Sequence, residues 1–205
     1  MKEMEKELTP LYLDIDNTIL NTAEVFIKKY CKEKNIKKDF YDLKDWKFRS
    51  IDRNINVKEF LNYIETEEFF NSVDIYDDFL KFYVKHGEDF NFIFVTIGTK
   101  KNCELKKQFL LKSLPTTKNI SFICFKNDGE KQTIDMSKGI QVDDKYENLN
   151  TNAKIKILQK NYIDTDYNYI KDKGIREDLY IMNDWKEIGE CIEFFDKEIK
   201  GEIIF

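Results

Sequence analysis

The chain of 205 residues has a single histidine, His86, and only 2 prolines and 7 glycines. One histidine excludes any two- or three-histidine metal site, and a Ser-His-Asp triad would have to be built on His86 alone. His86 itself sits near the end of a predicted helix before Gly87, where a cation suits the helix dipole and no catalytic role is expected. So few glycines and prolines leave no low-complexity linker. The 4 cysteines (Cys31, Cys103, Cys124 and Cys191) show no CxxC spacing and are expected as reduced, partly buried thiols. No window approaches the roughly 18–20 continuous apolar residues of a membrane span. The opening run Met1–Leu8 is charged and lacks an apolar signal core, so a cytoplasmic protein with no membrane partner is expected. Basic residues are also in deficit, with 34 Lys+Arg against 39 Asp+Glu and a net charge of −5. That balance argues against polynucleotide binding, which draws its affinity from basic patches.

What is present is a hydrophobic content of 41%, enough for a core, and a surplus of carboxylates. The chemistry left open is carboxylate chemistry, with a hard cation such as Mg²⁺ the natural companion. Short apolar runs predict strands at Leu11–Asp14, Phe90–Thr96, Ile120–Phe125, Gly139–Val142 and Leu179–Met182. Helical periodicity falls on Lys101–Ser113, Asn148–Lys160 and Asp184–Lys200, the last with Trp185, Ile188, Ile192 and Phe195 on one stripe. Alternation of this kind predicts an α/β fold, a parallel sheet with helices on both faces. The stretch from Ile15 to Asp89 is far longer than a crossover needs. It reads as helices Thr22–Asn35, Val57–Thr66 and Asp74–Lys85 around a polar-aromatic loop, Phe40–Phe48. This predicts a small helical cap, residues 21–87, inserted into a core made of 1–20 and 88–205.

Ligands of such sheets bind at the carboxyl ends of the strands. The first strand ends Asp14-Ile-Asp16, and residues i and i+2 of extended chain point the same way, so two carboxylates can converge. An acidic pair is also common at turns and caps, but here a buried strand delivers it. The second strand ends at Thr96, a hydroxyl able to hold a phosphate oxygen. The fourth runs into Asp143-Asp144, adjacent acids that repel unless a cation intervenes. Upstream of them lies Lys131, with Lys138 the competing choice and a solvated loop lysine the plain alternative for either.

The order strand-DxD-x-T, strand-T, Lys, strand-DD resembles the haloacid dehalogenase (HAD) superfamily of phosphohydrolases. It does not fit the receiver domains of two-component signalling, which place paired acids after the first strand and the phosphorylated Asp after the third, and have no cap. The tail Asn183-Asp184-Trp185 and the run Glu67-Glu-Phe-Phe70 are similar to the cytosolic type C 5′(3′)-deoxyribonucleotidases. The resemblance runs from about Leu11 to Ile188 and implies a HAD-like Rossmannoid core. It implies Asp14 as nucleophile and Asp16 as general acid and base. Thr96 and Lys131 would then be phosphate-binding. Asp14, Asp16 (through its backbone carbonyl), Asp143 and Asp144 would form the Mg²⁺ site. Where many of these enzymes carry Thr-Ser at the second motif, this chain has Thr96-Ile97, so one hydroxyl is missing or comes from Thr99. Trp46 and Phe48 could stack on a base or pack the cap's own core, whereas Phe60, Phe69 and Phe70 are expected as core.

The expected activity is Mg²⁺-dependent hydrolysis of (deoxy)nucleoside monophosphates through an aspartyl-phosphate. The alternatives are another small phosphate ester, such as a sugar phosphate, and a catalytically silent phosphate-binding protein on the same scaffold. The expected partner is a small-molecule phosphate ester, and a homodimer is left open.

Overall fold

The computed structural model describes residues 8–127, 129–160 and 178–202. Among them, six parallel strands form one sheet: β1 (Thr9–Leu13), β2 (Phe90–Ile97), β3 (Ile120–Phe125), β4 (Ile140–Asp143), β5 (Ile155–Gln159) and β6 (Leu179–Met182). Their spatial order is β3-β2-β1-β4-β5-β6. The chain therefore fills one half of the sheet outward from β1, returns to β4, and fills the other half. The topological switch point lies between β1 and β4, where side chains at the strand ends meet a crevice. Register fixes this junction. Leu13 pairs with Phe94 of β2 and with Val142 of β4, and the Asp14 N–H donates to the Val142 carbonyl at 3.0 Å.

The central strands β1, β2, β4 and β5 are buried on both faces, as parallel strands are when helices cover them, whereas the edge strands β3 and β6 are more open. Leu11, Leu13, Phe92, Phe94, Ile140, Val142 and Ile157 are fully buried. Four helices stand between β1 and β2: α1 (Thr22–Lys34), α2 (Val57–Ile64), α3 (Glu67–Phe70) and α4 (Asp77–His86). The fold is thus the expected α/β sheet with helices inserted after the first strand. Helix α5 (Lys100–Ser113) follows β2, and α6 (Trp185–Ile199) closes the described chain. Asp184 caps α6, its carboxylate accepting from the Lys186 and Glu187 N–H groups at 2.9 and 3.0 Å. The stripe Trp185, Ile188, Ile192 and Phe195 is buried as its periodicity predicts. Phe79 of α4 packs edge-on and Phe82 tilted against Trp185, whose indole N–H donates to the Thr18 carbonyl at 2.5 Å. That bond ties α6 to the loop carrying the acidic pair. His86 ends α4 and faces two carboxylates, Asp89 at 3.0 Å and Glu193 at 2.9 Å, a structural use beside Phe90 at the amino end of β2.

Two expectations are corrected. The helix expected over Asn148–Lys160 is instead a short 3₁₀ turn, Tyr146–Leu149, followed by strand β5. In Ile155-Lys-Ile157 the branched residues recur at i and i+2, the strand period. The lysines mimic a polar helix face, but Lys156 is itself buried and paired with Asp178. Likewise, Cys103 of α5 and Cys124 of β3 are joined as a disulfide, with their Cα atoms 6.2 Å apart, while Cys31 and Cys191 are free. The pairing arises from the packing of α5 on β3, which sequence spacing does not show. The charged segment Met1–Glu7 lies outside the described residues.

Gly139, just before β4, lies close against β1. A Cβ there would come within 2.5 Å of the Pro10 carbonyl oxygen and 2.8 Å of the Tyr12 ring. Gly139→Ala is therefore expected to lower stability by about 1–3 kcal/mol through overpacking, measured by urea unfolding against the wild type.

Candidate active site

The carboxyl ends of β1, β2 and β4 bring Asp14, Asp16, Thr96, Lys131, Asp143 and Asp144 to one crevice. Asp14 follows β1 directly, Asp143 ends β4, and both are buried, as is Asp144. One oxygen from each of these three carboxylates lies within 4.8 Å of the other two. Lys131, in the 3₁₀ turn Glu130–Thr133, is 1% exposed. Its ammonium donates to Asp14 Oδ1 and, at 2.7 Å, to Asp143 Oδ2. Lys138, the competing lysine, is exposed. The other Asp143 oxygen accepts from the Lys145 N–H at 2.9 Å and from the Asn148 side chain at 3.0 Å, which fixes the carboxylate on both edges.

Burial pushes the Asp14 carboxyl up to about 7; the Lys131 ammonium opposes this, and Asp143 and Asp16 reinforce it. Asp144 is pushed well above the usual carboxylate range by burial and by Asp14 and Asp143, against Lys131. Burial alone would lower the Lys131 ammonium, but Asp14 and Asp143 more than reverse that and leave it raised. Three buried carboxylates against one buried ammonium is a charge deficit of the kind a hard divalent cation removes, and an all-oxygen donor set suits Mg²⁺.

Asp16 lies a little apart. Its side chain is about one-third exposed and pairs with Lys106 of α5, not with the acid cluster. Lys106 was not foreseen from the sequence. It is 1% exposed, and its three protons are all engaged, by Asp16, by Thr96 Oγ1 at 2.9 Å and by the Ile97 carbonyl at 3.3 Å. An ammonium can only donate, so Thr96 accepts from it and keeps its own O–H to offer elsewhere. A signal for Lys106 did exist, because Asn102, Lys106 and Leu110 recur at i, i+4, i+8 and form the buried stripe of α5. Thr99 does not supply the second hydroxyl. It caps α5, accepting from the Asn102 N–H at 3.2 Å, and donates to Glu65.

A cavity of about 200 Å³ opens beside Asp16. Trp46, Phe48, Phe60, Ile64, Phe69 and Phe70 wall it, with Lys145 among its polar linings. Phe48 is buried, in edge contact with Phe26 and tilted on Phe60, so it packs the helical insertion and lines the cavity at once. Trp46 is half-buried. Phe60, Phe69 and Phe70, expected only as core, also face this space.

Comparison with solved structures places the fold. A predicted phosphatase from Clostridium acetobutylicum superposes with a TM-score of 0.58 at 18% identity, covering 92% of this chain and 100% of that one. The fold is that of the HAD-like hydrolases. A HAD-like hydrolase from Streptococcus pneumoniae matches with a TM-score of 0.59 at 10% identity, over 92% of this chain and 98% of the other. A HAD family hydrolase from Deinococcus radiodurans, solved with bound phosphate and sodium, matches at 0.57 and 9% identity, over 94% and 96%. No family model and no curated protein matches the sequence. No helix among the described residues is long and apolar enough to cross a membrane.

Removing the buried cation isolates the acids. Lys131→Met is expected to destabilise the metal-free protein by about 3–5 kcal/mol, read as a lowered urea midpoint in EDTA.

Proposed function

We propose that the protein is a Mg²⁺-dependent phosphomonoesterase acting on (deoxy)nucleoside monophosphates. The observation that carries the reading is the Lys131 ammonium bridging Asp14 and Asp143 beside Asp144, at the switch point of a HAD-like sheet. In this reading residues 21–87 serve as the cap and the remainder as the catalytic core.

A carboxylate oxygen of Asp14 attacks phosphorus. A P–O(Asp14) bond forms, the ester P–O bond breaks, and the leaving oxygen takes a proton from Asp16. Water then attacks the aspartyl-phosphate, gives a proton to Asp16, and returns Asp14 as a carboxylate with release of phosphate. Thr96 donates its free O–H to a phosphoryl oxygen. Lys131 offsets the charge of Asp14 while the dianion approaches. Lys106 holds both the Asp16 carboxylate and the Thr96 hydroxyl, so it acts as a positioning residue for each. Asp14, Asp143 and Asp144, with the Asp16 backbone carbonyl, would hold the divalent cation, which supplies neutralisation of the phosphoryl oxygens.

The aromatic walls formed by Trp46, Phe48 and Phe60 beside Asp16 support a flat leaving group, hence a nucleoside rather than an open sugar. The complete set of acids and the buried lysine speak against a silent binding protein, which would have no need of three converging carboxylates.

The test is a phosphate-release screen over mononucleotides and sugar phosphates, with Mg²⁺ and with EDTA. Mononucleotide turnover is expected to require the metal. Asp14→Asn is expected to lower it by about a thousandfold or more, as loss of a nucleophile does, with unchanged circular dichroism. Full activity in Asp14→Asn, or in EDTA, would overturn the reading.

A further inference from the structure

Three lysines reach the candidate site, and two of them are spent. Lys131 donates to Asp14 and Asp143. Lys106 donates to Asp16, Thr96 and the Ile97 carbonyl. Lys145 differs from both. It follows Asp144 directly, and its backbone N–H is fixed on Asp143 Oδ1 at 2.9 Å. Its side chain is half-buried and lines the cavity of about 200 Å³ that also holds Asp16, Trp46 and Phe48. Its ammonium has no hydrogen-bond or ion-pair partner among the described residues.

A half-buried lysine that lines an aromatic-walled cavity gives up part of its hydration, and its ammonium gets no bond in return from the described residues. An ion pair elsewhere on the surface would be the cheaper arrangement, so its position suits a ligand that completes its bonding. The cavity is lined by Asp16, the acid that faces a leaving group, and not by Asp14, Thr96 or Lys131, which face the phosphoryl group. The ligand atom that meets Lys145 therefore belongs to the leaving group. An ammonium only donates, so that atom is an acceptor.

We infer that Lys145 is a specificity-determining residue that bonds an acceptor oxygen on the leaving group of the phosphate ester. Two sources share this chemistry, the ring carbonyl of a nucleobase and the carboxylate of a small acid. Trp46, Phe48 and Phe60 favour the flat ring, which presents its faces to aromatic walls and its oxygen to the single cation. The inference rests on the phosphatase reading and adds to it a residue that distinguishes among substrates.

The test compares wild type, Lys145→Met and Lys145→Arg, each loaded with Mg²⁺, on three substrates. These are thymidine 5′-monophosphate, phosphoglycolate, and deoxyribose 5-phosphate, which has neither a base nor a carboxylate. With Lys145→Met, KM for thymidine 5′-monophosphate is expected to rise about 10-fold, the scale of one lost hydrogen bond to a charged group. Its kcat should stay within about 2-fold, because the bond acts equally before and during the reaction. Lys145→Arg should restore most of that KM, and deoxyribose 5-phosphate should be unaffected by either change. A KM rise confined to phosphoglycolate would keep the acceptor chemistry and assign it to a carboxylate. An equal rise on all three substrates would overturn the inference, by showing that Lys145 acts on the phosphoryl group. No change on any of them would overturn it as well. Absence of phosphate release by the wild type from every ester would be failure of the phosphatase reading, and the inference would fall with it.

Discussion

The ammonium of Lys131 is the group around which the crevice is assembled. Asp14, Asp143 and Asp144 cannot be buried together as anions without a cation among them, because desolvation and mutual repulsion both disfavour their charge. Lys131 supplies one positive charge at the centre of this cluster, from a short turn between β3 and β4. The turn, the end of β1 and the end of β4 are thus held in one place by electrostatics as well as by the sheet. One charge does not balance three carboxylates, however. Burial, reinforced by their mutual repulsion, keeps Asp14 and Asp144 raised against Lys131, and the three carboxylates are a donor set that could hold a further cation.

The sheet and the ion cluster depend on each other. Gly139 lets β4 approach β1 closely, and the Asp14 N–H then reaches the Val142 carbonyl. That register puts Asp14 next to Asp143 instead of one residue away, where its side chain would point to the other face. Trp185 adds a constraint from the far end of the chain by binding the Thr18 carbonyl. The loop that carries Asp16 is therefore held at both its ends, and Lys106 fixes the Asp16 side chain from α5.

Much of this was legible in the sequence because strands in a parallel sheet are continuous apolar runs and their polar ends are conspicuous. Asp14, Asp16, Thr96, Asp143 and Asp144 all stand at or just beyond such ends, and their order along the chain is that of a HAD-like sheet. Strand β5 was not legible, because Lys156 gives a buried strand the polarity of a helix surface, and only its partner Asp178 shows why a lysine is tolerated there. Lys106 was hidden for a related reason. In a chain rich in lysine, one that is buried looks like those that are solvated, and the i, i+4 stripe it shares with Asn102 and Leu110 distinguishes it only when α5 is docked. The Cys103–Cys124 link is a tertiary pairing that no local spacing encodes.

The two buried lysines divide the tasks of the candidate site between them. A lysine whose three protons are satisfied by protein oxygens is fixed in place and works by orienting its partners, as Lys106 does for Asp16 and Thr96. A lysine between two carboxylates moderates their charge, as Lys131 does. Both are buried to 1% exposure, so neither can follow a ligand as it enters. In the proposed reading, adaptation to different leaving groups comes from the half-buried part of the site, the aromatic cavity beside Asp16. The acid cluster on the sheet and the aromatic walls of the insertion meet at that one carboxylate, Asp16. In the proposed reading this division lets the acid cluster stay rigid while the walls supplied by Trp46, Phe48 and Phe60 set which ester fits.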